Sequence, residues 1–537
     1  MIIYCVKLIL NIYRKLSEKV VMLEGCDTMF FNKKLNFYSS HLDSYIEHLK
    51  KGDLGYLPWI FCVFAEDSDK HKLKAAQALN EFLNELSFDE LCQTDIRMRE
   101  TTSVEWSINW RALNIKRFIT NQMSENEKRT VFIFASFNPN GYIREEAINA
   151  LVTHNESLLF ILLRCNDWVD QVRQSALLLL SKRFINASDE EIVNALPLME
   201  KLRRSERCEF SSILSIIVSA FGSNKSLIEK GLNSREIRAR RFCISVLGNL
   251  PKIDDKCLLT HIKHEQDPFL RKMVFQLLLK TKADLDELSR QFLKDKYPPN
   301  RILALHFLYD YKPDIALDIS ENMLMDRNTQ VRTLARSIIS KSERVIDVRQ
   351  LYINNLPTDP VVSLLGLGEV GIHEDCNLIE NYLANDCISI IRAAMTALMR
   401  LDSAKFIPRI TEMLSSQHAG IIKTTTLLLR KNKGYDFERI FQLQEASSNE
   451  NVKVKCATLL FSSSKWKSLI YALMLLGSGY EKLEILCHTQ ISRWICSYNR
   501  SYAVPSENEK QRLNELLIEN NRFLGLEIEK QLLFLSR

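Results

Sequence analysis

One pattern recurs through most of this chain: an aliphatic residue, then Arg or Lys, then a small or apolar residue three positions on and another seven on. Ile143-Arg144 leads to Ala147 and Leu151, and Val172-Arg173 leads to Ala176 and Leu180. Leu270-Arg271, Val331-Arg332, Ile391-Arg392 and Val452-Lys453 repeat it, with weaker copies at Arg207, Arg240, Arg301, Val362 and Lys423. These eleven positions follow one another at spacings of 29 to 34 residues. A period of that length marks a chain built from one small unit that cannot bury its apolar face alone and must stack on its neighbours.

The unit is helical. Val331, Leu334, Ala335, Ile338 and Ile339 fall at i, i+3, i+4, i+7 and i+8, a single apolar stripe from which Arg332 and Arg336 face away. Asn140, Asp267, Asn328 and Asn449 stand three positions before the aliphatic residue, where a short polar side chain caps free N–H groups. Between copies lie second apolar-periodic stretches such as 315–324, so each unit holds two short helices and two tight turns. Composition agrees. Gly 15 and Pro 12 in 537 residues is under half the usual share of about 12%. Sandwiches and barrels need turn residues at every corner, which excludes an all-β fold.

Asp267-Pro268-Phe269-Leu270-Arg271 and Asp170-Gln171-Val172-Arg173-Gln174-Ser175-Ala176 resemble the start of the second helix in HEAT-like repeats, in their short form of about thirty residues. The resemblance implies an all-α fold, an α-solenoid of stacked two-helix repeats with atypical helical ends. It covers 138–460 and extends toward Leu73, with Lys72 in the basic slot. The resulting organisation is an N-terminal helical cap over 1–70, irregular helical repeats over 71–137, the regular array over 138–464 and a C-terminal helical cap over 465–537. The slot is Val362 in one repeat, and Thr425 and Thr426 replace core residues in another, so local irregularity is expected there. The family resemblance also implies that the recurring arginines bond acidic or carbonyl groups of the adjoining repeat.

Sites of chemistry are scarce. The 13 cysteines never lie closer than five residues apart, which removes zinc-ribbon and redox-pair spacings and points to a reducing, cytoplasmic compartment. Gly366-Leu367-Gly368-Glu369-Val370-Gly371 has the spacing of a dinucleotide loop but no strand before it; a loosened helix or repeat turn accounts for it better. His261, His264 and Glu265, with His373-Glu374, are read as solvated turn residues, not metal ligands. The first thirteen residues are too short for a membrane helix and read as an amphipathic helix or an over-extended start before Met22 or Met29. No nucleophile stands in a recognisable turn. No cofactor, metal or catalytic residue is expected.

A net charge of +6 is too small for a dedicated nucleic-acid coat, yet two runs are rich in arginine. They are Lys201-Leu202-Arg203-Arg204-Ser205-Glu206-Arg207 and Arg235-Glu236-Ile237-Arg238-Ala239-Arg240-Arg241, one repeat apart. The reading is a non-enzymatic scaffold or adaptor that binds a protein partner with an acidic surface through its concave face, with Arg203, Arg204, Arg235, Arg238 and Arg241 as partner-binding residues. The alternative is a nucleic-acid-binding HEAT-like protein, possibly resembling the DNA glycosylases of that fold, with Trp106, Trp110 and Trp168 as candidate stacking aromatics. The competing account of the arginines is a solvated face screened by Glu200, Glu206, Glu209 and Glu236.

Overall fold

The computed structural model describes residues 37–100, 108–281, 283–500 and 502–536, and every regular element among them is a helix. Trp106, the stretch 1–13, Met22 and Met29 lie outside the described residues. The chain divides into two compact units, the first ending at Asp284 and the second starting at Leu285, inside the stretch read as one array over 138–464.

In the first unit the second helices of successive repeats are Gly141–Leu151, Asp170–Ile185, Phe210–Ser223, Ile237–Leu247 and Pro268–Leu278, and each touches the next. In the second unit the corresponding run is Pro298–Tyr311, Thr329–Ser340, Pro360–Val370, Ile388–Leu401, Ala419–Asn432, Glu450–Leu460 and Glu481–Cys496. A first helix precedes each, often shorter, such as Leu158–Arg164 or Val348–Asn355. This is the stacked two-helix architecture of HEAT-like repeats, all-α throughout the described residues. The helix pairing continues past residue 464, since Lys465–Met474 and Glu481–Cys496 pack on each other and Glu481–Cys496 on Glu450–Leu460. Stacking buries the stripes: Val331, Ala335 and Ile339 are at most 4% exposed, and Phe242, Cys243, Val246 and Leu247 are equally sealed. The four caps form as expected, Asn140, Asp267, Asn328 and Asn449 each accepting a backbone N–H of their own helix's first turn. No single helix among the described residues is long and apolar enough to cross a membrane; the apolar pair Phe210–Ser223 and Lys225–Leu232 is bent by 107°.

A ladder of charge-assisted hydrogen bonds runs along the turns between first and second helices. Its arginine stands four residues after the N-cap, and its guanidinium folds back on the turn. Arg144 donates to the carbonyls of Asn138 and Pro139, Arg240 to those of Ser234 and Arg235, and Arg301 to that of Asp295. The other edge of the fork reaches the next repeat. Arg144 grips Asp167 at 2.9 and 2.6 Å, Arg240 grips Glu265 at 2.8 and 3.1 Å, and Arg301 grips Asp326 at 2.8 and 2.6 Å. The carboxylate stands six residues before the next slot. It also accepts the N–H two residues on, from Val169, Asp267 and Asn328, which fixes the turn. The arginines are therefore structural, satisfying carbonyls that would otherwise be buried unpaired.

The geometry corrects several readings. Arg332 does not face solvent: it is fully buried, bonded to Glu369 and to the Asp326 carbonyl, and Arg336 joins it on Glu369 at 2.8 Å. Val362 is not in the slot either; Asp359 caps that helix, which places Ser363 there. Pro357 occupies the acid position, so Arg332 reaches across to Glu369 instead. Thr424, in the irregular repeat, accepts the Arg392 Nε at 2.8 Å while Lys423 is exposed. The glycine run 366–371 is neither loosened nor a turn. A Cβ on Gly366 would lie 2.4 Å from the Tyr352 ring, and one on Gly368 would lie 2.6 Å from the Ala397 Cα, so these glycines let helices approach. Glu265 and His261 are not solvated: their side chains are nearly sealed, 3.2 Å apart, with Arg240 on the same carboxylate.

Candidate functional site

The ladder breaks at one repeat of the first unit. Glu209 stands at the N-cap position of the helix Phe210–Ser223, without a side-chain cap bond, so the slot four residues later holds Ile213, fully buried, rather than an arginine. Six residues before it, where neighbouring repeats carry a carboxylate or another side chain that fixes the turn, stands Arg207. Arg207 is thus not the slot residue of the sequence reading. It lies in the seven-residue connection 203–209 between helices, longer than the equivalent connections around it, and is exposed. Arg173, deprived of an acid in the next repeat, falls back on Asp170 of its own helix at 2.6 Å.

Around this gap the two arginine-rich runs come together. Helix Asp189–Leu202 ends at Arg203, whose guanidinium donates to Glu200 at 2.8 Å and to Ser245, on helix Ile237–Leu247, at 3.2 Å. Arg204, Arg207 and Arg235 are exposed, and their side chains meet no acid or hydrogen-bond acceptor among the described residues. Arg238 and Arg241 are half-buried and engaged. Arg238 holds Asp89 through both nitrogens, at 2.8 and 3.0 Å, and lies 5.8 Å above the Phe88 ring. Arg241 lies 5.1 Å above the Phe269 ring of the next repeat. Of the five arginines singled out in the sequence, Arg204 and Arg235 therefore project unpaired from the turn edge, whereas Arg203, Arg238 and Arg241 are engaged internally. Of the proposed screening acids, Glu200 does pair with Arg203, while Glu236 caps its own helix through the Arg238 N–H.

Asp89 arrives on a helix outside the repeat series, Phe88–Glu100, which buries Leu91, Cys92, Thr94, Asp95 and Met98 on one face. Asp95 anchors it. Its carboxylate accepts from Arg99 at 2.7 Å and from the buried Arg164, which also bonds Asp167 of the ladder at 3.1 Å. Arg99 and Arg144 both lie over the Trp168 ring. The hydrogen bond from Arg238 holds the Asp89 carboxyl below its ordinary range, with the Lys201 ammonium adding its charge. Lys201 also reaches the Cys92 thiol. Nothing in the spacing of Phe88–Glu100 pointed to this docking, because its partners lie 69 and 149 residues away. The ladder gap itself was legible once the rule "acid six before arginine" is applied, since Arg207 violates it by sign.

Of the candidate stacking aromatics among the described residues, Trp110 is buried against Phe61, ring centres 5.6 Å apart, and so is not available to a base. Trp168 is 52% exposed, with the Arg99 and Arg144 guanidiniums 5.9 and 5.4 Å from its ring centre. At the opposite ends of the same helices, Phe221, Leu247, Leu258, Lys225, Asp254 and Cys257 line a groove of about 600 Å³ that no arginine of the two runs enters.

No protein-family model and no curated protein matches the chain. Among solved structures it is similar to importin beta, crystallised in an ammonium sulfate condition, with a TM-score of 0.34 and 13% identity over 92% of this chain and 79% of that one. A mutant of Kap121p is similar with a TM-score of 0.32 and 12% identity, over 93% and 61% of the two chains. Kap121p bound to Pho4p gives 0.26 and 10%, over 96% and 56%. The chain thus spans little more than half the length of Kap121p. The repeat architecture stands on the helix contacts and ladder of this chain itself.

Proposed function

We propose that this protein is a non-catalytic helical-repeat scaffold that binds an acidic protein surface at the turn edge around Arg203, Arg204, Arg207 and Arg235, flanked by Arg238 and Arg241. One observation carries the reading. Where the ladder calls for a carboxylate the chain places Arg207, and the neighbouring cations Arg204 and Arg235 meet no partner among the described residues. Arginine forks left unpaired at a rigid edge are suited to carboxylates of another molecule, and they are frequent anchors of protein interfaces. The surface lies on turns and helix ends held by packed repeats, so little backbone ordering is added to the side-chain ordering that binding requires. A reducing, cytoplasmic setting fits the described cysteines, all free thiols and most of them buried.

The test is the triple reversal Arg204→Glu, Arg207→Glu, Arg235→Glu. All three side chains are exposed and hold no acid among the described residues, so the melting temperature is expected to stay close to the parent's. Binding of a labelled 20-residue poly-glutamate peptide, followed by fluorescence anisotropy, is expected to weaken by about tenfold or more at low salt, and less at physiological salt. Equal binding by parent and variant returns these arginines to a solvated face. Tight binding instead to a single-stranded oligonucleotide, with affinity falling linearly against salt on a log–log plot, favours the nucleic-acid alternative.

A further inference from the structure

The arginine surface already holds a carboxylate from the chain's own sequence, 149 residues away from its cation. We propose that Asp89 is a built-in competitor at this surface: in the free protein it occupies Arg238, and it gives way to a carboxylate of the acidic partner. The inference rests on the function proposed above and adds its regulation.

Three features of the geometry support it. The pair is placed to exchange: Arg238 and Asp89 are 43% and 62% exposed, so solvent screens the bond and its net contribution to the fold is small. The helix that carries Asp89 stays when the pair opens. Its anchor is Asp95, six residues on and nearly sealed against Arg164, beside the buried Leu91 and Met98. Asp89 can therefore let go without unfolding anything. Finally, the position is central. Arg238 shares its helix with Ser245, the acceptor of Arg203, and the charge of Lys201 also acts on Asp89, so an incoming carboxylate would meet cations from two successive repeats.

The experiment compares full-length parent, Asp89→Asn, Glu90→Gln and Asp89→Asn/Arg238→Glu in the same poly-glutamate anisotropy assay. Glu90 is the matched control. Removing its charge shifts net charge equally, but its carboxylate bonds only Ser87, so no arginine is released. Asp89→Asn is expected to bind about two- to fivefold more tightly than the parent, the range that freeing one exposed ion pair allows. Glu90→Gln is expected to bind like the parent, and the double variant to lose the gain. Equal gains in Asp89→Asn and Glu90→Gln overturn the proposal, because general electrostatics then explains both, while the scaffold function stands. If the gain appears for a single-stranded oligonucleotide and not for poly-glutamate, a carboxylate competitor is overturned in favour of a phosphate site. If neither the parent nor Asp89→Asn binds poly-glutamate at low salt, and the triple reversal changes nothing, the function itself fails and the competitor with it.

Discussion

At the scale of single residues, the packing seam and the ladder fail in different ways. Ala335 is fully buried in a cluster with Leu324 and Ile339, against Leu317, Met323 and Leu351. Ala335→Asp is expected to cost several kcal/mol, on the order of 3–5, as an unpaired carboxylate enters an apolar seam; a thermal melt matching the parent's would falsify the register of the repeats. Glu265 fails by titration. Burial pushes its carboxyl up, but hydrogen bonds from His261, Arg240 and the Asp267 N–H outweigh it and hold the value at about 2, against 4.5 for the free group. A depressed carboxylate contributes stability above its unfolded value that is lost as pH falls toward the folded one, here between about 4.5 and 2. That contribution is on the order of 3 kcal/mol at neutral pH. Glu265→Gln is therefore expected to lower the melting temperature at pH 7 and to flatten its decline between about pH 5 and 2, checked by melts across that range.

At the scale of helices, the two ladder breaks have opposite consequences. At Pro357 the loss is absorbed internally. Glu369 collects Arg332, Arg336 and Arg400, the last at 3.2 Å, and the helix Pro360–Val370 closes onto Ile388–Leu401 through Gly368. Because a Cβ at Gly368 would meet backbone rather than a mobile side chain, Gly368→Ala is expected to force the helices apart at a cost of about 1–3 kcal/mol, read by chemical denaturation. At Arg207 nothing inside the repeats compensates, and the cations turn outward. The helix Phe88–Glu100 docks beside them and touches two repeats, one through Arg164 and Trp168 and the other through Arg238. The repeat reading placed Arg207 in the slot and so missed both the gap and the helix docked beside it. A six-residue rule is local, whereas the pairing of Asp89 with Arg238 spans 149 residues and depends on how the intervening helices stack.

At the scale of the whole molecule, each unit carries its own apolar interior. In the second, an unbroken cluster runs from Tyr352 and Leu356 through Met395, Ile422 and Cys456 to Trp494 and Leu517. Residues 285–537 expressed alone are expected to give a helical far-UV spectrum and a cooperative melt; a spectrum dominated by coil would show that this unit needs the first one to fold. Periodicity alone determined that the described residues are all-helical, that the unit is a helix pair of about thirty residues, which apolar stripes are buried and which polar residues cap the helices. Those properties depend on neighbours within a turn or two, so they are written in spacing. Only the tertiary structure decided which arginines are structural and which are free. It moved Arg207 out of the slot and Ser363 into it, buried Arg332, and set Asp89 against Arg238. An arginine's role depends on which carboxylate lies within about 3 Å, and that distance is fixed by packing between repeats, not by position along the chain.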